Sequence, residues 1–211
     1  MTLRIAAYLL FVVTTLSMPA QSVIRGSSAE AQFSDPKFGV SFHYPASWTI
    51  SASQPFYMQL AISPELDVPN KDRLRALIYT KSLANVVSWP KTHFEGVEFG
   101  YDAHSVPTAD ACHALANPEN GDIEPVDDVT MGGHRYWHIK EGNAGLGHSM
   151  GEDVYTLYSS GKCLRFDLAV SQLDADLEGV PQRAITSHEQ SLIDASLREV
   201  LTSVRITRPS Q

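Results

Sequence analysis

The chain has 211 residues, 43% of them hydrophobic, two cysteines and a formal charge of −8. That is enough chain for one domain with a real core, and an acidic balance with only scattered Lys and Arg excludes a nucleic-acid backbone as partner. It equally excludes docking on anionic lipid, which takes clusters of basic residues.

Residues 1–22 have the layout of a signal peptide. Arg4 supplies a positive start, and Ile5 to Leu16 is apolar apart from Thr14 and Thr15. That run falls short of the roughly 20 residues that span a bilayer. Pro19 breaks the helix, and Ala20-Gln21-Ser22 offers small residues where a signal peptidase reads them. Ala29-Glu30-Ala31 is a second candidate cleavage site, and a retained N-terminal anchor is the alternative. Removal of residues 1–22 takes away Arg4 and moves the charge from −8 to −9. The expectation is an exported protein, periplasmic or extracellular, with no membrane insertion after cleavage. Residues 23–32 read as a flexible linker and 33–207 as a single domain.

Within that domain Val40, Phe42 and Tyr44 alternate with Ser41 and His43, the period of a half-buried strand. Pro45-Ala46-Ser47 turns the chain into a second short strand at Trp48 and Ile50. Further strands are expected at 56–62 and 75–81, and at 94–101, where Val97, Phe99 and Tyr101 share a face. Thr108 reads as the N-cap of a short helix that carries Cys112 and Leu115 and ends at Asn117-Pro118. The acidic stretch from Pro118 to Asp128 reads as an exposed loop. A hairpin is expected over 129–140, turning at Gly132-Gly133, and another over 153–170 around Ser160-Gly161. The last helix has the clearest signal. Ser187 and Gln190 fit a capping box, and Ile193, Leu197, Val200, Leu201 and Val204 lie on one face. Asp194 and Arg198 are spaced to pair on another face, and Arg205-Ile206-Thr207 reads as an edge strand. Short strands joined by hairpins, with two helices, predict an α+β fold: an antiparallel β-sheet flanked by helices.

The run FSDPKFGVSFHYPASW, residues 33–48, resembles the opening of the PsbP-like family, relatives of the extrinsic subunit of photosystem II. Lys91-Thr92-His93-Phe94, Cys112, the Ala144–His148 loop and Gly161-Lys162-Cys163 are similar to a bacterial secreted branch with a single cysteine pair. The resemblance implies an α/β/α sandwich around an antiparallel sheet. It does not imply an enzyme, and the chain reads as a non-catalytic binding or assembly domain of this type. No residue here matches a photosystem contact. The partner would be an unidentified protein or small ligand, and a monomer is expected.

Four sets of residues are candidates for chemistry. The stretch 142–149, GNAGLGHS, fits the phosphate-loop pattern except that His148 replaces its lysine. Strand-like sequence follows it where a helix is needed, and Glu152 and Asp153 would repel a polyphosphate. It reads instead as a glycine loop joining two hairpins. His134, His138 and His148 are the candidate metal ligands, the basis of an alternative reading as a metal- or small-ligand-binding module. On a strand His134 and His138 would share a face but stand about 13 Å apart, so a site would need His148 or Glu152 from a neighbouring segment. A hydrolase is the third reading, although no G-x-S-x-G elbow occurs and His148 and Ser149 point to opposite faces of a strand. Trp48, Trp89 and Trp137 read as core. No cofactor is expected. Export makes a Cys112–Cys163 disulfide the default, with two buried free thiols as the alternative.

Overall fold

The computed structural model describes residues 29–51, 74–80, 92–114, 127–145, 147–173 and 183–207. The signal segment, the strand expected at 56–62, Trp89 and most of the acidic loop lie outside the described residues. The first strand, β1 (Glu30–Asp35), begins inside the stretch read as linker. Ala31 and Phe33 pack on the core, so this strand belongs to the domain.

A turn carries β1 into β2 (Val40–Pro45), and the two pair antiparallel with Phe33 opposite Phe42. The far edge of β2 receives β10 (Arg205–Ile206) near the C-terminus. A second, larger sheet contains β3 (Thr49–Ser51), β4 (Leu74–Thr80), β5 (Phe94–Ser105), β6 (Asp127–Met131), β7 (His134–Gly145), β8 (His148–Ser159) and β9 (Lys162–Leu173). Its order is β3-β4-β5-β9-β8-β7-β6, and every neighbouring pair is antiparallel. The described part is therefore mostly antiparallel sheet with two helices, α1 (Ala109–His113) and α2 (Ser187–Thr202).

Strands β6 to β9 form one meander closed by three two-residue turns. Ser160 and Gly161 both have positive φ, as a type I′ turn requires. The sequence placed GNAGLGHS between two hairpins as a loop. Instead it is the tip of a hairpin. Residues 142–145 end β7, His148 begins β8, and Gly145 pairs with His148 across the turn. Strand β8 rather than a helix follows the loop, so no helix N-terminus continues it as a phosphate loop needs.

One face of the large sheet forms the core. Val97, Phe99 and Tyr101 of β5 and Leu164, Phe166 and Leu168 of β9 turn inward with Tyr136 and Tyr155. Phe42 from the small sheet packs edge-on against Phe99, 5.2 Å between ring centres, and Tyr101 stacks on Phe166 at 5.4 Å. Helix α2 covers this layer with Ile193, Leu197, Val200 and Leu201, all nearly without exposure. Each such side chain contributes about 1.5–3 kcal/mol by leaving water.

Two local expectations shift. The capping box of α2 is Thr186 with Glu189, one residue before the expected Ser187 and Gln190. Asp194 accepts from the Gln190 side chain at 2.8 Å in place of a pair with Arg198. The short helix keeps its predicted cap: Thr108 Oγ1 accepts from the Ala111 amide at 3.1 Å. Its Cys112 is joined to Cys163 of β9, with 5.1 Å between Cα atoms, and no described cysteine is free.

Candidate functional site

Among the described residues, a cleft of about 440 Å³ opens beside the β8–β9 turn. Phe38, His134, Arg135, Tyr158, Lys162 and Ile206 line it. Each arrives from an element end. Phe38 lies in the β1–β2 turn and Ile206 in β10. His134 and Arg135 open β7 directly after Gly132-Gly133, and Tyr158 and Lys162 flank Ser160-Gly161. Lys162 Nζ donates to the carbonyls of Phe38 and Lys37, at 3.3 and 3.5 Å. The ammonium groups of Lys37 and Lys162 and the Arg75 guanidinium all stand 5.2–5.5 Å from the Phe38 ring centre, within cation–π range. Asp35 takes Arg75 in a two-bond ion pair, and Asp128 takes Arg135.

The other face of the large sheet carries a buried charged row. Alternation along the strands sets Glu98 and Asp102 of β5, Glu141 of β7, Glu152 and Thr156 of β8, and Arg165 and Asp167 of β9 on the side away from the aromatic core. Asp102, Arg165 and Thr156 are consecutive cross-strand partners. Arg165 Nε donates to Asp167 Oδ1 at 2.7 Å. Burial pushes the Glu152 carboxyl well above its ordinary range, and the Asp167 charge adds to the push. Burial works against the charge of Arg165, but the Asp167 carboxylate bonded to it opposes that penalty, and the guanidinium stays charged. Thr156 Oγ1 and Asp167 Oδ2 are buried, with no hydrogen-bond partner among the described residues.

The three candidate histidines sit in three places. His134 lines the cleft, its ring edge-on to Tyr136 at 6.2 Å. His138 Nε2 lies 2.5 Å from Asp153 Oδ1, and its ring stacks on Tyr155 at 4.4 Å. Burial, with the Asp153 charge, pushes the Tyr155 phenol up to about 12. His148 is at the far tip of the β7–β8 hairpin, with Nδ1 2.9 Å from Glu95 Oε2. The same carboxylate oxygen accepts from Ser171 Oγ at 2.8 Å. Glu95 reaches both because a bulge between Phe94 and Gly96 turns its side chain toward them. Among the described residues, no group of three His, Cys, Asp or Glu side chains converges as a metal site would. Ser171 donates to a carboxylate rather than to an imidazole, which is not the arrangement that activates a serine.

Two tryptophans can be placed. Trp48 is buried with the core. Trp137 stacks on His113 of α1 at 3.4 Å, on the face opposite His138. Burial there lowers the basicity of His113, against the pull of Asp110 and Asp128. Neither the cleft nor the buried charged row was read from the sequence. In β5 and β9 charge alternates with apolar side chains, and that pattern does not tell a solvated face from a covered one.

No protein-family model and no curated protein matches the sequence. Solved structures do match. One is a Bacteroides thetaiotaomicron protein at 13% identity and a TM-score of 0.47; the match covers 84% of this chain and 48% of that one. This chain thus spans about half of that protein's length. Proteins of the PsbP-like type are among the matches. Cyanobacterial PsbP from Synechocystis sp. PCC 6803 is 14% identical, with 87% and 95% of the two chains covered and a TM-score of 0.37. LpqN of Mycobacterium tuberculosis, described as involved in cell envelope biogenesis, is 12% identical, with 85% and 91% covered and a TM-score of 0.42.

Proposed function

We propose that this chain is an exported, non-catalytic binding domain of the PsbP-like type, and that the cleft at Phe38, His134 and Lys162 is its ligand seat. The α/β/α arrangement belongs to the same proposal. It is supported by strand alternation, since Cys163, which holds α1, and Phe166, which is in the core cluster with α2, address opposite faces of β9. The observation that carries the binding reading is the cleft itself. At about 440 Å³ it has the size of small-molecule sites, which are concave, largely apolar and furnished with a few convergent polar groups. Export rests on the N-terminal signal layout; no described helix is long and apolar enough to cross a membrane. The alternative of a metal- or small-ligand-binding module on His134, His138 and His148 shares His134 with this cleft.

A fragment screen followed by two-dimensional amide NMR tests the seat. Hits should move the amide signals of Gly133, His134, Lys162 and Ile206 together. Hits that map to the charged row or to the His148 hairpin would reject the cleft. A broad esterase and phosphatase screen should find no turnover, and robust hydrolysis would overturn the non-catalytic reading.

A further inference from the structure

We infer that the cleft selects a small amphiphilic monoanion: an apolar body carrying one carboxylate. This rests on the cleft being the ligand seat and adds the class of ligand. The walls include Phe38, Leu164 and Ile206, which suit an apolar body, together with Lys162, Arg135 and His134. No Asp or Glu is among the lining residues, although the protein carries a net charge of −8. A local surplus of cations in an acidic molecule, held against low-dielectric walls, focuses a positive potential on the cleft.

Lys162 is the group that would meet the carboxylate. An ammonium has three N–H donors, and two of these go to the carbonyls of Lys37 and Phe38. One donor remains, and among the described residues no carboxylate pairs with it. Arg135 is already engaged with Asp128, so it contributes field more than a new contact. Lys37, 5.2 Å from the Phe38 ring centre, adds charge nearby. One spare donor and one ammonium suit a single carboxylate. A polyanion would find too few donors and would meet the repulsion of the whole molecule. A neutral or cationic amphiphile would fill the apolar walls but leave Lys162 without a counter-charge.

Calorimetry with decanoate, decanol, decylamine and inorganic phosphate, each kept below its aggregation range, separates the possibilities. Amide NMR of the same samples reports where binding occurs. Decanoate should bind with shifts at Gly133, Lys162 and Ile206, at least tenfold tighter than decanol, and more weakly as salt is raised. Lys162→Gln should lose most of that preference and Lys162→Arg should keep it, with both variants melting as wild type does. Equal binding of decanoate, decanol and decylamine at these residues would overturn the anion class while leaving the cleft as the seat. Phosphate binding as tightly as decanoate would overturn the amphiphile. If no probe moves the cleft residues, the seat and the ligand class both fall.

Discussion

Gly39 sits where a side chain has no room. Its φ is +72°, and a Cβ built there would stand 2.3 Å from the Thr207 carbonyl oxygen. The same glycine accepts from the Thr207 amide at 2.8 Å, so its close approach fastens the end of β10 onto the start of β2. Gly39→Ala should destabilise the fold by about 1–3 kcal/mol, read as a lower urea midpoint, because strain and a backbone clash add. Gly147, at the hairpin tip, also has positive φ, +82°, so Gly147→Ala should cost about 1 kcal/mol. Gly142 is the control. Its nearest neighbour to an added Cβ, the Met150 carbonyl oxygen, is at an ordinary 3.5 Å, and Gly142→Ala should change the midpoint little. Equal losses at 142 and 147 would refute the conformational argument. The sequence pattern marked GNAGLGHS as a glycine loop. It held no sign that Gly39 touches Thr207, 168 residues away, because local pattern carries no information about which distant carbonyl approaches.

The two helices stand for different reasons. Helix α2 runs 16 residues with a reciprocal cap, Thr186 Oγ1 accepting from the Glu189 amide while Glu189 accepts from the Thr186 amide. Thr186→Ala should cost about 1 kcal/mol of stability, as lost caps do. The apolar face of this helix was legible because its 3.6-residue period is long and regular. Its cap was missed by one position because Thr186 and Ser187 are both good caps, and only the chain's entry angle selects between them. Helix α1 has five residues, too few to persist alone in water. The Cys112–Cys163 bond holds it to β9 across a separation of 51 residues. In the chain-entropy model that crosslink contributes about 4 kcal/mol. Reduction should therefore lower the denaturation midpoint substantially and free α1, seen as loss of amide protection at Cys112 and His113. A midpoint unmoved by reduction would show that α1 is held by other contacts.

Among the described residues most strands were legible and their assembly only partly so. Period-two runs located β2, β5, β8 and β9, and turn residues located two of the hairpins. What they cannot reveal is that β1, β2 and β10 leave the large sheet to form their own, nor that Glu98, Asp102, Glu152, Arg165 and Asp167 face a covered interior. That hidden row has a consequence for stability against pH. Glu189, held by Arg183 and the Thr186 cap, has its carboxyl lowered from 4.5 to about 2. Its contribution is present above the unfolded pKa and is lost as pH falls through about 2. Glu152 has the opposite sign. Its folded pKa is raised well above 4.5, by burial first and by Asp167 next. The folded state keeps a proton that the unfolded chain gives up, so this contribution is full below the unfolded pKa and disappears as pH rises through the folded value. Glu152→Gln supplies a neutral side chain of the same shape. It should be close to neutral at pH 4 and stabilising at pH 8, whereas Glu189→Gln should be destabilising at pH 7 and lose that effect toward pH 2. Urea titrations of both variants from pH 3 to 8 measure the two opposed slopes. If Glu152→Gln proves most destabilising at pH 8, then Glu152 is ionised in the folded protein and pairs with Arg165, and the charged row is a salt-bridge network rather than a proton store.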